Sequence, residues 1–187
     1  PIEVEITFDI SHSDGGLISI NDSLLDNLPQ TLNLTYGETY IINIELNDNF
    51  NFINWNSPEG LIEDVNSHNF NLYIEESGYI IANLIQLLNL SLIIEPQDAG
   101  YVLGNGEEMA VFPLSQTYVQ NTEIDLQAFA TNGMEFEYWV RKNAIIEQDI
   151  RYQYTLEYND TVRVVFSEKE LAMYIPNSFT PNGDGIN

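Results

Sequence analysis

The chain repeats itself once, and that duplication limits its fold more than any other feature. Shifting the 187-residue sequence by 84 positions sets Gly16 on Gly100, Pro29 on Pro113, Phe52 on Phe136 and Trp55 on Trp139. Those matches include both tryptophans of the chain. Shifting by 82 positions sets Ile80-Ile81-Ala82-Asn83-Leu84 on Val162-Arg163-Val164-Val165-Phe166. A period of this length marks one small structural unit used twice in tandem. The expected division is residues 1–88 as module one, 89–168 as module two, and 169–187 as a linker and the start of a further element.

Each copy reads as β-structure. Ile2, Val4, Ile6, Phe8 and Ile10 alternate with Glu3, Glu5, Thr7 and Asp9, which gives one buried and one wet face. Tyr40, Ile42, Ile44 and Leu46 form a second such set, and Ile124, Leu126, Ala128 and Ala130 a third. Phe136, Tyr138 and Val140 alternate with Glu135 and Glu137 and are expected to share a face. Tyr152, Tyr154, Leu156 and Tyr158, then Val162, Val164 and Phe166, complete the copy. Turn signals such as Asp14-Gly15-Gly16, Gly104-Asn105-Gly106 and Asn132-Gly133 separate these runs. No window carries a sustained helical stripe, although one short helical turn is expected near Ser23–Asn27. The class is therefore all-β: two tandem β-rich repeat domains followed by an extended tail. Between them Ile85–Asn89 reads as a short link without Gly or Pro, and such a link is stiff.

Charge removes several partners. The chain has 29 acidic and 5 basic residues, for a net charge of −24. The basic residues are Arg141, Lys142, Arg151, Arg163 and Lys169, so none precedes residue 141. A polyanion gains nothing from releasing phosphate counterions, so nucleic acid is not an expected partner. Anionic lipid is an equally poor partner, because its negative surface attracts basic segments and not acidic ones. Uniform negative charge instead suits solubility. There is no cysteine, hence no disulfide and no thiolate metal site. No run reaches the ~18 apolar residues of a helical membrane span, so direct membrane insertion is not expected. A secretory leader would have to lie upstream of Pro1.

Candidate chemistry is sparse. Trp55 and Trp139 end equivalent F-x-x-W runs with Phe52 and Phe136, which points to core plugs; an exposed tryptophan stacking on sugar is the alternative. The acid pairs Glu63-Asp64, Glu75-Glu76 and Glu107-Glu108 sit beside turns and read as solvated charge rather than as acid/base machinery. His12 and His68 stand alone, without zinc-ligand spacing. No nucleophile or phosphate-loop motif is present. The chain is expected to be non-catalytic and to need no cofactor. One candidate for Ca²⁺ remains. Asn182-Gly183-Asp184-Gly185-Ile186-Asn187 sets oxygen ligands at alternate positions, a pattern shared by Ca²⁺ loops and by simple Gly/Asn turns.

Two stretches resemble known families. Copy two reads Ile94-Glu95-Pro96, Ala99-Gly100-Tyr101-Val102, Ile124-Asp125-Leu126-Gln127-Ala128, Gly133-Met134-Glu135-Phe136-Glu137-Tyr138-Trp139 and Val162-Arg163-Val164-Val165-Phe166. This resembles the divergent InlB B-repeat modules of bacterial surface proteins; copy one fits the same pattern more loosely. The resemblance implies a small β-sandwich or β-grasp-like module serving as spacer in an extended surface protein. The tail, Ile175-Pro176-Asn177-Ser178-Phe179-Thr180-Pro181-Asn182-Gly183-Asp184-Gly185, resembles the opening of the gliding-motility-associated C-terminal domain. That resemblance implies cargo of the type IX secretion system of Bacteroidota, type B, as in SprB-like gliding adhesins. Pro176, Asn177, Phe179, Thr180, Pro181, Asn182, Gly183, Asp184 and Gly185 would form the sorting motif. Its implied partners are the type IX translocon and a PorP/SprF-family outer-membrane protein, with the mature protein at the cell surface. A calcium- or glycan-binding accessory module of a secreted hydrolase is the alternative.

Overall fold

The computed structural model describes residues 1–109 and 113–170. Among them are sixteen β-strands and no helix, so the all-β class holds. Copy one contains β1 (Glu3–Ile10), β2 (Gly16–Ile20), β3 (Ser23–Leu24), β4 (Gln30–Thr35), β5 (Thr39–Leu46), β6 (Phe50–Asn56) and β7 (Asn69–Tyr73). β8 (Gly78–Glu95) runs on into copy two. There follow β9 (Gly100–Gly104), β10 (Glu107–Met109), β11 (Leu114–Val119), β12 (Thr122–Ala130), β13 (Met134–Arg141), β14 (Ala144–Glu147), β15 (Arg151–Leu156) and β16 (Asp160–Glu168). The helical turn expected near Ser23–Asn27 is absent. Asn21 and Asp22 form a positive-φ turn there, and its reversal pairs Ser23 and Leu24 with β2 instead.

Each copy is a two-sheet sandwich. In copy one, β3-β2-β5-β7 form one sheet, and β4, β1, β8 and β6 form the other. Val4, Ile6, Phe8, Ile18, Ile42, Leu72 and Ile80 come from both sheets and meet in one core. Copy two repeats this with β10-β9-β12-β15 facing a sheet in which β8 pairs with β11 and β16. Leu90, Val102, Ile124, Leu126, Leu156 and Val162 fill its separate core. Burying one such side chain fully is worth about 1.5–3 kcal/mol.

The duplication extends to strand register. Thr7 faces Thr31 in β1/β4, and the residues 84 positions on, Ser91 and Ser115, face each other in β8/β11. Gly16 faces Leu46 as Gly100 faces Ala130. Those two glycines match for a steric reason. A Cβ on Gly16 would lie 2.5 Å from the Glu45 carbonyl oxygen, and one on Gly100 would lie 2.4 Å from that of Phe129.

The junction differs from expectation. Ile85–Asn89 is not a link between two strands, because β8 passes through it unbroken for 18 residues. Its even-numbered side chains alternate inward on both sides of the seam: Ile80, Ala82 and Leu84 enter the first core, Leu88, Leu90, Leu92 and Ile94 the second. Only Gln86 interrupts this apolar series. The strand that closes copy one therefore opens copy two.

Candidate functional site

F-x-x-W spacing is wrong for a flat strand, since residues three apart face opposite sides. A register shift resolves it. It falls between Phe52 and Asn54 in the β6/β8 pair, and between Phe136 and Tyr138 in the β13/β16 pair. One extra residue in each bulge turns the tryptophan inward beside its phenylalanine. The ring centroids lie 5.4 Å apart for Phe52/Trp55 and 6.0 Å for Phe136/Trp139. Trp55 is 2% exposed and Trp139 0%. Each indole Nε1–H donates to a backbone carbonyl, Trp55 to Ser67 at 2.9 Å and Trp139 to Asp149 at 3.1 Å. The same bulge corrects the expectation for β13. Tyr138 and Val140 do not share a core face with Phe136; they point outward beyond the bulge, toward open grooves on the sheet.

Copy two carries a polar cluster that copy one lacks. Arg141 is salt-bridged to Asp160, with the two side chains 21% and 6% exposed. The guanidinium lies over the Tyr154 ring, 4.4 Å from its centroid, and Tyr152 stacks on Tyr154 at 5.0 Å. Burial pulls the Arg141 guanidinium down, but Asp160 and Tyr152 outweigh it and hold the group above its ordinary value. Burial, then the Asp160 charge, push the Tyr154 hydroxyl up, and burial does the same to Tyr118. The Tyr154 hydroxyl is buried and has no hydrogen-bond partner among the described residues.

Beside this cluster an open groove of about 760 Å³ crosses the outer face of the sheet. Asn89, Ser91, Asn143 and Thr161 supply neutral hydrogen-bonding groups, and Ile93 and Val140 an apolar lining. Arg163 at the same groove bonds Glu95 at 2.9 Å, so this cation is neutralised locally. Elsewhere Arg151 lies on Asp125 and holds its carboxyl below the ordinary value.

The remaining candidates stay apart. Glu63, Asp64, Glu75, Glu76, Glu107 and Glu108 are all exposed. His12 packs on Phe50 and His68 on Phe52. Among the described residues no group of three or more His, Cys, Asp or Glu side chains is placed to hold a metal. Pro176, Asn177, Phe179, Thr180, Pro181, Asn182, Gly183, Asp184 and Gly185 lie outside the described residues, as does the candidate Ca²⁺ loop.

Residues 100–170 match the family described as the divergent InlB B-repeat domain. No curated protein matches the sequence. Similar solved structures include the TIE protein of Bacillus anthracis, at 8% identity and a TM-score of 0.30 over 90% of this chain and 34% of that one. The chain thus spans about a third of that protein's length. The major pilin T-13 of Streptococcus pyogenes aligns at 8% identity and a TM-score of 0.28, covering 91% of this chain and 98% of the pilin. Another structure of a Streptococcus pyogenes major pilin aligns at 9% identity and a TM-score of 0.25, covering 90% and 98%.

Proposed function

We propose that the two modules are non-catalytic stalk repeats of a large secreted cell-surface adhesin. The observation that carries this reading is the repetition of one sandwich, in one register, through a strand common to both copies. Such an arrangement extends a chain by adding units, as repeat proteins do. The match of residues 100–170 to divergent InlB B-repeats supports the same reading. The neighbours of each module are then further repeats of the same chain.

The route to the surface is read from the tail. Its resemblance to the gliding-motility-associated C-terminal domain supports export by the type IX system, with the translocon and a PorP/SprF-family protein as partners and gliding adhesion as the setting. Two deletions in the producing bacterium test the two parts separately. Removing the chain from Pro176 onward is expected to abolish surface display; display that survives removes the sorting reading. Removing residues 3–86, one full period, is expected to leave export intact and shorten surface reach. Loss of a binding activity with that deletion overturns the spacer reading.

The groove of copy two supports a second reading, as a glycan-binding accessory module, because the amide and hydroxyl groups that stand beside Glu95, Lys142, Asp160 and Arg163 in its lining suit a polyhydroxyl ligand. Calorimetric titration with neutral polysaccharides tests it, and a flat response removes it.

A further inference from the structure

We propose that each module is a mechanical clamp that carries tension along the chain, with the parallel β1/β8 and β8/β16 pairs as its load-bearing elements. This inference rests on the stalk reading for its use, but its physics rests on strand direction alone.

The chain enters copy one through β1 and leaves it through the first half of β8. These strands are parallel neighbours, paired from Ile6↔Gly78 to Ile10↔Ala82. Copy two is entered through the second half of β8 and left through β16, again in parallel, from Leu90↔Asp160 to Glu95↔Val165. Tension on the chain ends pulls the two strands of each pair in opposite directions along their common axis. The evenly spaced hydrogen bonds of a parallel ladder then share the load instead of opening singly. Sliding also meets resistance from the core. Ile6, Phe8, Ile80 and Val162 are 0% exposed, and Leu90 is 1% exposed. A one-residue slip would turn each of them to the opposite face.

Force passes from clamp to clamp without a slack segment. β8 is continuous for 18 residues, about 60 Å of strand. The seam is tied twice: Leu87 N–H donates to Asn49 O at 2.7 Å, and Gln120 N–H to Gln86 O at 2.8 Å. The same two bonds recur where the strand path continues beyond the pair. Lys169 N–H donates to Gly133 O at 2.8 Å, and Tyr36 N–H to Ile2 O at 2.9 Å. The ends of the two-module unit thus carry the hydrogen bonds of its own junction.

Single-molecule pulling tests the clamp. The chain has no cysteine, so introduced thiols give unique handles. Handles at Glu3→Cys and Glu170→Cys load both pairs in shear. Handles at Glu3→Cys and Glu76→Cys, which lead into the same end of the β1/β8 pair, peel copy one open. End-to-end pulling is expected to give two steps, each lengthening the tether by roughly 250–300 Å, the reach of about 84 extended residues. The rupture force of both steps should exceed the peeling force several-fold. Equal forces in the two directions, or an end-to-end trace without steps, overturn the clamp. Either result leaves the spacer reading standing, because that reading is decided by the one-period deletion.

Discussion

The two copies share a backbone but not an interior. At the end of the core nearest the tryptophans, copy one places Leu34, Phe70 and Leu72, and its Gly78 lies under Pro58 and Leu61. The equivalent positions of copy two hold Tyr118, Tyr152, Tyr154 and Asp160, with Arg141 where copy one has Ser57. One fold thus tolerates either an apolar plug or an ion pair roofed by tyrosines. Register is therefore fixed by features the copies keep: the bulge, the buried tryptophan and the close-approach glycine. The filling of this corner is free to drift provided each buried charge keeps its partner.

The largest test of the shared features is removal of the plugs. Trp55→Ala and Trp139→Ala are each expected to cost about 4 kcal/mol, from lost burial and the cavity left behind. Urea melts of the two variants should show similar losses. A cost at one site below half that at the other would break the equivalence of the copies. The strand common to both cores adds a second expectation: copy one, isolated as residues 1–88, should melt below its temperature in the full chain. It loses the bond from Gln120 N–H to Gln86 O and the β11 partner along β8. Equal melting would show that β8 joins the copies without coupling them.

Asp160→Asn probes what copy two alone possesses. It leaves the mostly buried Arg141 without its counter-charge, and a loss of roughly 2 kcal/mol is expected. Asp160→Gly restores the residue of copy one without its Pro58/Leu61 cover, so it should be no milder. Stability unchanged in both variants would mean that the ion pair is ornamental.

Much of this was legible in the sequence because repetition marks what geometry requires. Gly16 and Gly100 match because a carbonyl occupies the space of a Cβ. The F-x-x-W runs match because a bulge needs one more residue than alternation allows. The odd spacing of Phe136 and Trp139 is itself the signal of that bulge, whereas strict alternation puts Tyr138 and Val140 on the face of Phe136. The continuity of β8 was harder to see. Gln86 and Asn89 look like link residues, but Gln86 lies at the seam between two cores and Asn89 faces outward, so neither breaks the strand. The Arg141/Asp160/Tyr154 cluster is not legible, because Arg141 and Asp160 meet only through the pairing of β13 with β16, and Tyr154 reaches them from β15 of the facing sheet.

The smallest effects separate the copies by pH. In copy two burial holds the hydroxyls of Tyr118 and Tyr154 above their ordinary value of 10.0. A folded-state value above the unfolded one means a contribution that is complete below pH 10 and lost as pH rises beyond it. Copy one has leucines at both positions, so copy two should loosen first on the alkaline side. Trp55→Phe leaves Trp139 as the sole indole reporter of copy two, and Trp139→Phe leaves Trp55 to report on copy one. Fluorescence titration from pH 8 to 12 should therefore show an earlier transition in the first variant, and coincident transitions would refute the assignment. Tyr154→Phe sharpens the same point. Its hydroxyl is buried without a partner among the described residues, so deleting it removes a desolvation cost and none of their bonds. The variant should be as stable as the parent chain at neutral pH, or up to about 1 kcal/mol more stable. Its alkaline transition should move upward, because one of the two groups that drive it is gone.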